Sequence, residues 1–484
     1  HRRANARADE DEAYRPRHMA APAFGADTGV VSPPRRVLGA LGGRRSLVMV
    51  DQAVSSGSNF LVTAIVAGLV SRSVFGAFSV ALIAFTLALG GVRAAVGEPY
   101  LSTHSVDDEA DRRAASADLL RAALATSALA SLVMVVAAVA IRGPVLAPLL
   151  VTAVAFPFLG AQDSLRHVAV VDRPHLALAS DLTWLVVVVA LLVMAPDGAS
   201  AAWFVAAWGS AGIVGLAVAL ATMDVPVAGG NARRWLREHR AMAGAFLAEV
   251  ASARTMSYVV ILLLGPIVGI TAIGAVRVAQ AFFGPLNTLF SGIYLVLVPD
   301  GARQSDDPRR LVRFMVLASL VVTLAATVWS AVGLLLPDSI GTAVFGKTWA
   351  DAQEIMFPMG LAVLAGSVAT GAFAGLRSLG DSRASLRARL CSLPPEAILA
   401  LVGAFVGGAV GYAYGFAAAT WLIAAIWWGF FLAALRRRQA SVDALADGSV
   451  GPGGPGEPVA TRYPAPDWPT DDPPLPQPLP GSTR

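Results

Sequence analysis

DQAVSSGSNFLVTAIVAGLVSRSVFGAF, residues 51–78, decides how the rest of the chain is read. Its opening mixes Asp51, Gln52, Ser55, Ser56, Ser58 and Asn59 into an apolar run, and from Phe60 the helix turns almost wholly hydrophobic. At 3.6 residues per turn, Asp51, Ser55 and Asn59 stack on one side. An apolar helix with one polar stripe turns that stripe toward a protein interior or a watery cavity, because lipid offers it no partner. A second segment, EVASARTMSYVVILLLGPIVGITAIGAV at residues 249–276, lies over the first without a gap. Asp51 falls on Glu249, Phe60 on Tyr258, Gly76 on Gly274 and Ala77 on Ala275. An acidic helix start that recurs about 200 residues later is what a two-lobed transporter presents.

Composition places the chain in the membrane. Of 484 residues, 56% are hydrophobic and 14% charged, against roughly 25% charged in soluble domains. Mean hydropathy is +0.63, and the apolar material comes in blocks of about 20 residues, the length that crosses a bilayer core. The net charge of +4 is almost all arginine, since Lys347 is the only lysine. Arginines in short loops report topology before any nucleic-acid partner, and none is expected here. One cysteine, Cys391, excludes an internal disulfide. The start shows no cleavable signal peptide, and Met19 is the expected initiator.

Twelve spans are expected, near 46–70, 76–97, 117–141, 145–164, 176–195, 201–222, 241–264, 270–298, 311–336, 353–376, 387–409 and 411–435. Arginines crowd alternate loops: Arg35, Arg36, Arg44 and Arg45; Arg112 and Arg113; Arg166 and Arg173; Arg233, Arg234, Arg237 and Arg240; Arg303, Arg309 and Arg310; Arg383 and Arg387; and Arg436 to Arg438. The other loops hold little beyond Arg72, Arg142 and Lys347. Both termini are therefore expected in the cytoplasm. The expected organisation is a basic disordered tail (1–44), an N-lobe of spans one to six (45–222) and a linker (223–240). A C-lobe of spans seven to twelve (241–436) and a Pro-rich disordered tail (437–484) follow. The linker reads as an amphipathic surface helix with Trp235 and Leu236 dipped into the membrane.

The fold class is thus an all-α polytopic membrane protein, two six-helix lobes around a central cavity. Gly341-Thr-Ala-Val-Phe-Gly346-Lys347-Thr348 matches a phosphate-binding loop formally, but it follows a membrane span with no strand before it. The six histidines are not spaced as metal ligands, so no metal or cofactor is expected. Catalytic carboxylates of a membrane glycosyltransferase or polymerase would need a substantial external loop, which is absent. The informative residues are charges at membrane depth, which cost roughly 2.5–3.5 kcal/mol at a helix centre on insertion scales. They include Asp51, Arg93, Glu98, Asp163, Arg166 and Asp181 in the first lobe, with the uncharged Gln162 beside them, and Glu249, Arg254, Arg277, Arg377 and Glu396 in the second, with the uncharged Gln280 near Arg277. On span eight, Arg277, Gln280 and Gly284 share a face, and Gly284 leaves room beside the two polar groups. Two readings stand: arginines lining a cavity for an anion, held through their planar fork, or structural pairs such as Asp51 with Arg93 and Glu249 with Arg254.

Residues 51–90 resemble the opening helix pair of bacterial polysaccharide exporters and lipid-linked oligosaccharide flippases, in which a polar first helix leads through a short turn to an "FG.F" start of the second. Val344-Phe-Gly-Lys-Thr-Trp-Ala-Asp-Ala352 resembles their "FG..W..A" signature between spans nine and ten, which accounts for the phosphate-loop match. Over roughly 44–438 the chain is similar to the multidrug/oligosaccharidyl-lipid/polysaccharide (MOP) exporter superfamily. The resemblance implies alternating access in a bacterial cytoplasmic membrane and a polyprenyl-diphosphate-linked oligosaccharide as cargo, for surface polysaccharide assembly. The chain departs from fourteen-span lipid II flippases in lacking two C-terminal helices. It also lacks the glycines of the major facilitator loop, reading HSVDDEADRRAAS between spans two and three. The expected roles follow. Arg93, Arg254 and Arg277 hold the diphosphate, Gln280 and Asn59 add polar lining, and Asp51 and Glu249 couple or gate. Expected partners are the lipid-linked saccharide, membrane lipids and polysaccharide-building enzymes; the chain itself is not expected to be an enzyme. The rival within the superfamily is a cation-coupled multidrug exporter, which would want an acidic cavity.

Overall fold

The computed structural model describes residues 44–103, 109–251, 255–305 and 307–446. Among them every regular element is a helix. The N-lobe comprises α1 (Arg44–Leu69), α2 (Arg72–Val92), α3 (Glu98–Thr103), α4 (Glu109–Ile141), α5 (Leu146–Asp172), α6 (Pro174–Val193) and α7 (Ala201–Thr222). Then come α8 (Ala232–Glu238), α9 (Arg240–Val250), α10 (Met256–Ile267), α11 (Ile270–Phe282), α12 (Gly284–Ala302) and α13 (Pro308–Leu335). The last are α14 (Asp338–Phe345), α15 (Trp349–Ser378) and α16 (Ser382–Ala446).

Local chemistry marks where these helices start and break. Ser71 and Ser200 cap α2 and α7 by accepting from Val74 and Trp203 N–H. Asp307 accepts from the N–H groups of Arg309 and Arg310 ahead of Pro308, whose missing N–H costs nothing in a first turn. Gly407 and Gly408 leave helical geometry inside α16, with φ of −133° and +60°. The two arms fold back on each other: Gly403 and Gly411 meet backbone to backbone, and Gly415 sits against the Leu399 carbonyl. Small residues allow that approach, as in tightly packed membrane helices.

Eight helical stretches among the described residues are long and apolar enough to cross a membrane, the α16 hairpin counting as one. The shorter apolar helices Gly57–Leu69, Met256–Ile267 and Ile270–Phe282 occupy spans one, seven and eight. The described residues of all twelve expected spans are therefore mainly helical, with differences inside them. Span two widens into a π turn at Arg93–Gly97. In span seven α9 and α10 lie on either side of residues 252–254, which are outside the described residues, and span eight turns at Phe283, between α11 and α12. The final helix runs to Ala446, beyond the expected boundary at 436. Trp235 differs from expectation as well: it is 1% exposed, stacked between Tyr100 and His239, so it packs on protein rather than lipid.

Buried residues place the lobes. One apolar cluster joins both halves at the end carrying Arg72 and Lys347, with Phe75, Phe78, Ile273, Val276, Phe345 and Trp349 among its members. At the arginine-rich end each lobe has its own core, one around Leu119, Leu120 and Trp235 and the other around Leu311, Met315 and Phe431. Outward faces stay apolar: Leu129, Leu132, Val133 and Val136 on α4 and Leu317, Leu320, Leu324 and Val328 on α13 are exposed. Their spacing of three or four residues is one helix face left for lipid.

Candidate functional site

In the N-lobe the membrane-depth charges gather into one network. Arg93, opening the π turn, grips Asp163 of α5 with both prongs: Nε donates at 2.8 Å and Nη2 at 2.5 Å. Arg166, one turn further along α5, lies 3.7 Å from Asp163 and 3.0 Å from Asp181 of α6. Gln162 donates to Ser180 at 3.2 Å, and Ser180 donates to the Gly215 carbonyl at 3.1 Å, which ties α5, α6 and α7 together. His167 Nδ1 lies 2.9 Å from the Asp163 carbonyl oxygen. Asp163 and Asp181 are buried. Two guanidinium groups thus face two carboxylates, with the charge of Glu98 also acting on Arg93. Such a constellation braces helices, because removing either sign would leave the other uncompensated at depth. Arg93 pairs with Asp163, while the pairing with Asp51 considered from sequence falls on a side chain outside the described residues.

The C-lobe is built differently. Arg277 on α11 is half-buried, and its Nε is enclosed with no hydrogen-bond partner among the described residues. Its ionisable neighbour is Tyr258 of α10. Gln280 stands half-buried one turn on, and a Cβ placed on Gly284 would meet nothing within 4 Å. Arg277 and Gln280 thus share α11, but the turn at Phe283 places Gly284 at the start of α12 and interrupts the three-residue face expected from the spacing. In the aligned repeats Arg277 falls opposite Ser79, a buried hydroxyl, so the N-lobe has no equivalent cation there. Elsewhere in the lobe, the Ser257 hydroxyl donates to the buried Glu396 carboxylate, near the buried Tyr412. Sequence alone does not single out Ser257, because one serine in an apolar helix carries no signal until its partner is seen.

Of the remaining expected site residues, Asn59 has an exposed side chain on α1, and its carbonyl accepts from Thr63. The side chains of Asp51 and Glu249 lie outside the described residues, as does the whole of Arg254. No group of His, Cys, Asp or Glu that could hold a metal occurs among the described residues.

At the opposite end, the aligned repeats meet each other. A Cβ on Gly274 would lie 3.5 Å from the Gly76 nitrogen and 3.1 Å from the Phe75 ring, and one on Gly76 would reach 2.9 Å from the Ile270 carbonyl carbon. The phosphate-loop lookalike completes this contact. Gly346 has φ +58° and ψ −149°, conformations that favour glycine, and its Cα faces Ala67 and Gly68 of α1. Arg72 donates to the Lys347 carbonyl at 2.9 Å and pairs with Asp351 at 2.8 Å. Trp349 covers Gly341, and Phe60 meets Phe345 edge-on at 5.9 Å. The run serves as a joint between lobes, with helix rather than strand before it.

No family model matches the sequence, and no curated protein is significantly similar to it. Solved structures do match in fold. An inward-facing multidrug resistance MATE family transporter of the MOP superfamily superposes with a TM-score of 0.65 at 11% identity, covering 80% of this chain and 96% of the other. Lipid II flippase MurJ in an inward closed conformation gives 0.61 at 10% identity, covering 83% and 92%. An outward-facing MATE structure gives 0.54 at 13% identity, covering 83% and 98%. The chain shares its fold with these transporter structures, the fold that the sequence resemblance implied.

Proposed function

We propose that this chain is a membrane flippase that moves a polyprenyl-diphosphate-linked oligosaccharide across the cytoplasmic membrane by alternating access, for surface polysaccharide synthesis. The observation that carries the reading is the contrast between the lobes. The N-lobe arginines are neutralised by Asp163 and Asp181, whereas Arg277 has its Nε enclosed with no hydrogen-bond partner and no carboxylate on it among the described residues. A guanidinium held so favours an anion, and its fork fits phosphate oxygens. In this reading Arg277 anchors the diphosphate with Gln280 beside it, Arg254 joins from span seven, and Arg93 and Asn59 line the N-lobe side. Asp51 and Glu249 couple an ion or gate the lobes as these rock about the Gly76–Gly274 contact. The arginine-rich end faces the cytoplasm, with both termini there.

One observation favours a second reading, a cation-coupled multidrug exporter: Glu396 is a buried acid of the C-lobe, and a MATE transporter shares the fold. Ligand-dependent thermal stability of the purified protein separates the two. A ligand at 100 times its Kd stabilises the folded state by about 2.7 kcal/mol. Undecaprenyl-diphosphate saccharide should protect the wild type, undecaprenol should not, and protection should fall in Arg277→Ala and partly return in Arg277→Lys. Protection by cationic drugs that survives Arg277→Ala and disappears in Glu396→Gln would replace the flippase with the exporter.

A further inference from the structure

We propose that the groove between α4 and the linker, at the arginine-rich end of the N-lobe, seats the headgroup of an anionic phospholipid. The groove measures about 630 Å³, with Arg121, Leu124 and Ala125 of α4 on one wall and residues 229–233 on the other. Arg121 immediately precedes twenty uncharged residues, Ala122 to Ile141. At 1.5 Å per residue that stretch is about 30 Å long, the thickness of a bilayer's hydrocarbon core. Arg121 is therefore set at headgroup depth. It also lies on the helix face left for lipid, since Ala125, Ala128, Leu129, Leu132 and Val136 continue that face and all are exposed. An acyl chain lying along this stripe brings its phosphate to the Arg121 guanidinium.

Three contacts fix the linker against the N-lobe. Asp118, one turn before Arg121, accepts from Asn231 N–H at 2.7 Å and from Arg234 Nε at 2.8 Å, so its charge is already engaged. Gly230 packs so closely on α4 that a Cβ there would strike the Ala117 carbonyl and stand 2.8 Å from Arg121 Cγ. Trp235, buried between Tyr100 and His239, anchors α8 on protein. On this frame Arg121 Nη2 donates to the Val227 carbonyl at 2.9 Å. That acceptor is neutral, so the bond holds the guanidinium in place without cancelling its charge. Arg233, exposed at the start of α8, brings a second guanidinium to the same groove. Glu238, the one acid of α8, lies five residues further on and acts on Arg234 from another face of the helix. Two arginines on a fixed frame, with Leu124 and Ala125 on the bilayer side of them, match a phosphate joined to an acyl chain. An arginine that only reports topology needs neither the second arginine nor the frame.

The groove shares no residue with the Arg277 face, so it stands or falls apart from the proposed cargo. The full chain in detergent micelles is titrated with phosphatidylglycerol or phosphatidylcholine, and bound lipid is counted by native mass spectrometry. Phosphatidylglycerol should bind more tightly. Arg121→Gln and Arg233→Gln should each weaken its binding roughly fivefold to tenfold, the scale of one arginine at a lipid headgroup. Arg121→Lys should recover part of the loss. Because α8 is held by Asp118 and Trp235, a loss in Arg233→Gln cannot be ascribed to a freed linker. Arg142→Gln, at the opposite end of the same helix and also exposed, should leave binding unchanged. Phosphatidylglycerol held no more tightly than phosphatidylcholine overturns the proposal. So does selective binding that survives both glutamine substitutions, or that falls equally in Arg142→Gln. Thermal stabilisation by inorganic phosphate but not by phosphatidylglycerol would assign the groove to a soluble anion and overturn it as well.

Discussion

Adding a methyl group at three glycines should separate the energy of the contact between lobes from the energy of backbone strain. Gly346→Ala carries both. Its φ of +58° and ψ of −149° lie where a Cβ costs about 1–3 kcal/mol. The same Cβ would overlap the Ala67 carbonyl oxygen and stand 3.0 Å from Gly68 Cα, backbone atoms that cannot rotate away. Overpacking of that kind costs about 1–3 kcal/mol more. Gly143→Ala carries strain alone, since φ is +66° and nothing lies within 4 Å. Gly76→Ala carries contact alone: the residue is helical, where alanine gains roughly 0.8–1 kcal/mol over glycine, but its Cβ would strike Ile270. Strain and helix propensity act on a lobe whether or not the lobes touch. Only the contact term biases their separation, by about fivefold to 150-fold for 1–3 kcal/mol. Electron-spin distance measurements between labels at positions 142 and 340, in a Cys391→Ser background, read that separation. Gly346→Ala and Gly76→Ala should populate a longer distance, while Gly143→Ala should keep the wild-type distribution. Thermal midpoints should fall in Gly346→Ala and Gly143→Ala. Matching distance distributions in Gly346→Ala and Gly143→Ala would refute the view that the FGKTW run joins the lobes.

Asp163→Asn should destabilise the protein by about 3 kcal/mol, the lower end for breaking a buried pair because Arg93 keeps 41% of its side chain exposed; Arg93→Leu with Asp163→Leu should recover much of the loss in denaturation measurements. Asp118 accepts from Asn231 N–H at 2.7 Å and from Arg234 Nε at 2.8 Å, so Asp118→Asn should free helix α8. Trypsin cleavage after Arg233 or Arg237 should then accelerate about tenfold or more, following a lost charge-assisted contact of about 1.5–3 kcal/mol. For topology, a cysteine at position 142 should react with an impermeant thiol reagent in intact cells, and cysteines at 303 and 381 only after lysis. The reverse pattern would invert the orientation.

Much of the architecture was legible because a bilayer imposes coarse requirements. A helix must satisfy its own backbone and run about 20 residues, so spans such as 201–222 coincide with the helix observed, Ala201–Thr222. Breaks inside spans were not legible. The π turn at Arg93–Gly97 and the turn at Phe283 depend on what packs alongside, and Gly284 resembles many other glycines in this chain. Trp235 shows the same limit. A tryptophan beside arginines satisfies the pattern of an interfacial anchor, yet Tyr100 and His239 enclose it.

Hydropathy, arginine spacing and the gapless repeat by themselves determined an all-helical, multi-pass, two-lobed chain, because each depends on residue type and position along one strand of sequence. The repeat even aligned Gly76 with Gly274. That these two glycines touch was decided only by tertiary structure, as was the choice of Asp163 for Arg93 and the isolation of Arg277 from the carboxylates of its described surroundings. Pairing energy falls off within a few ångströms and depends on which helix faces meet. A one-dimensional pattern specifies the charge and the face but not the neighbour.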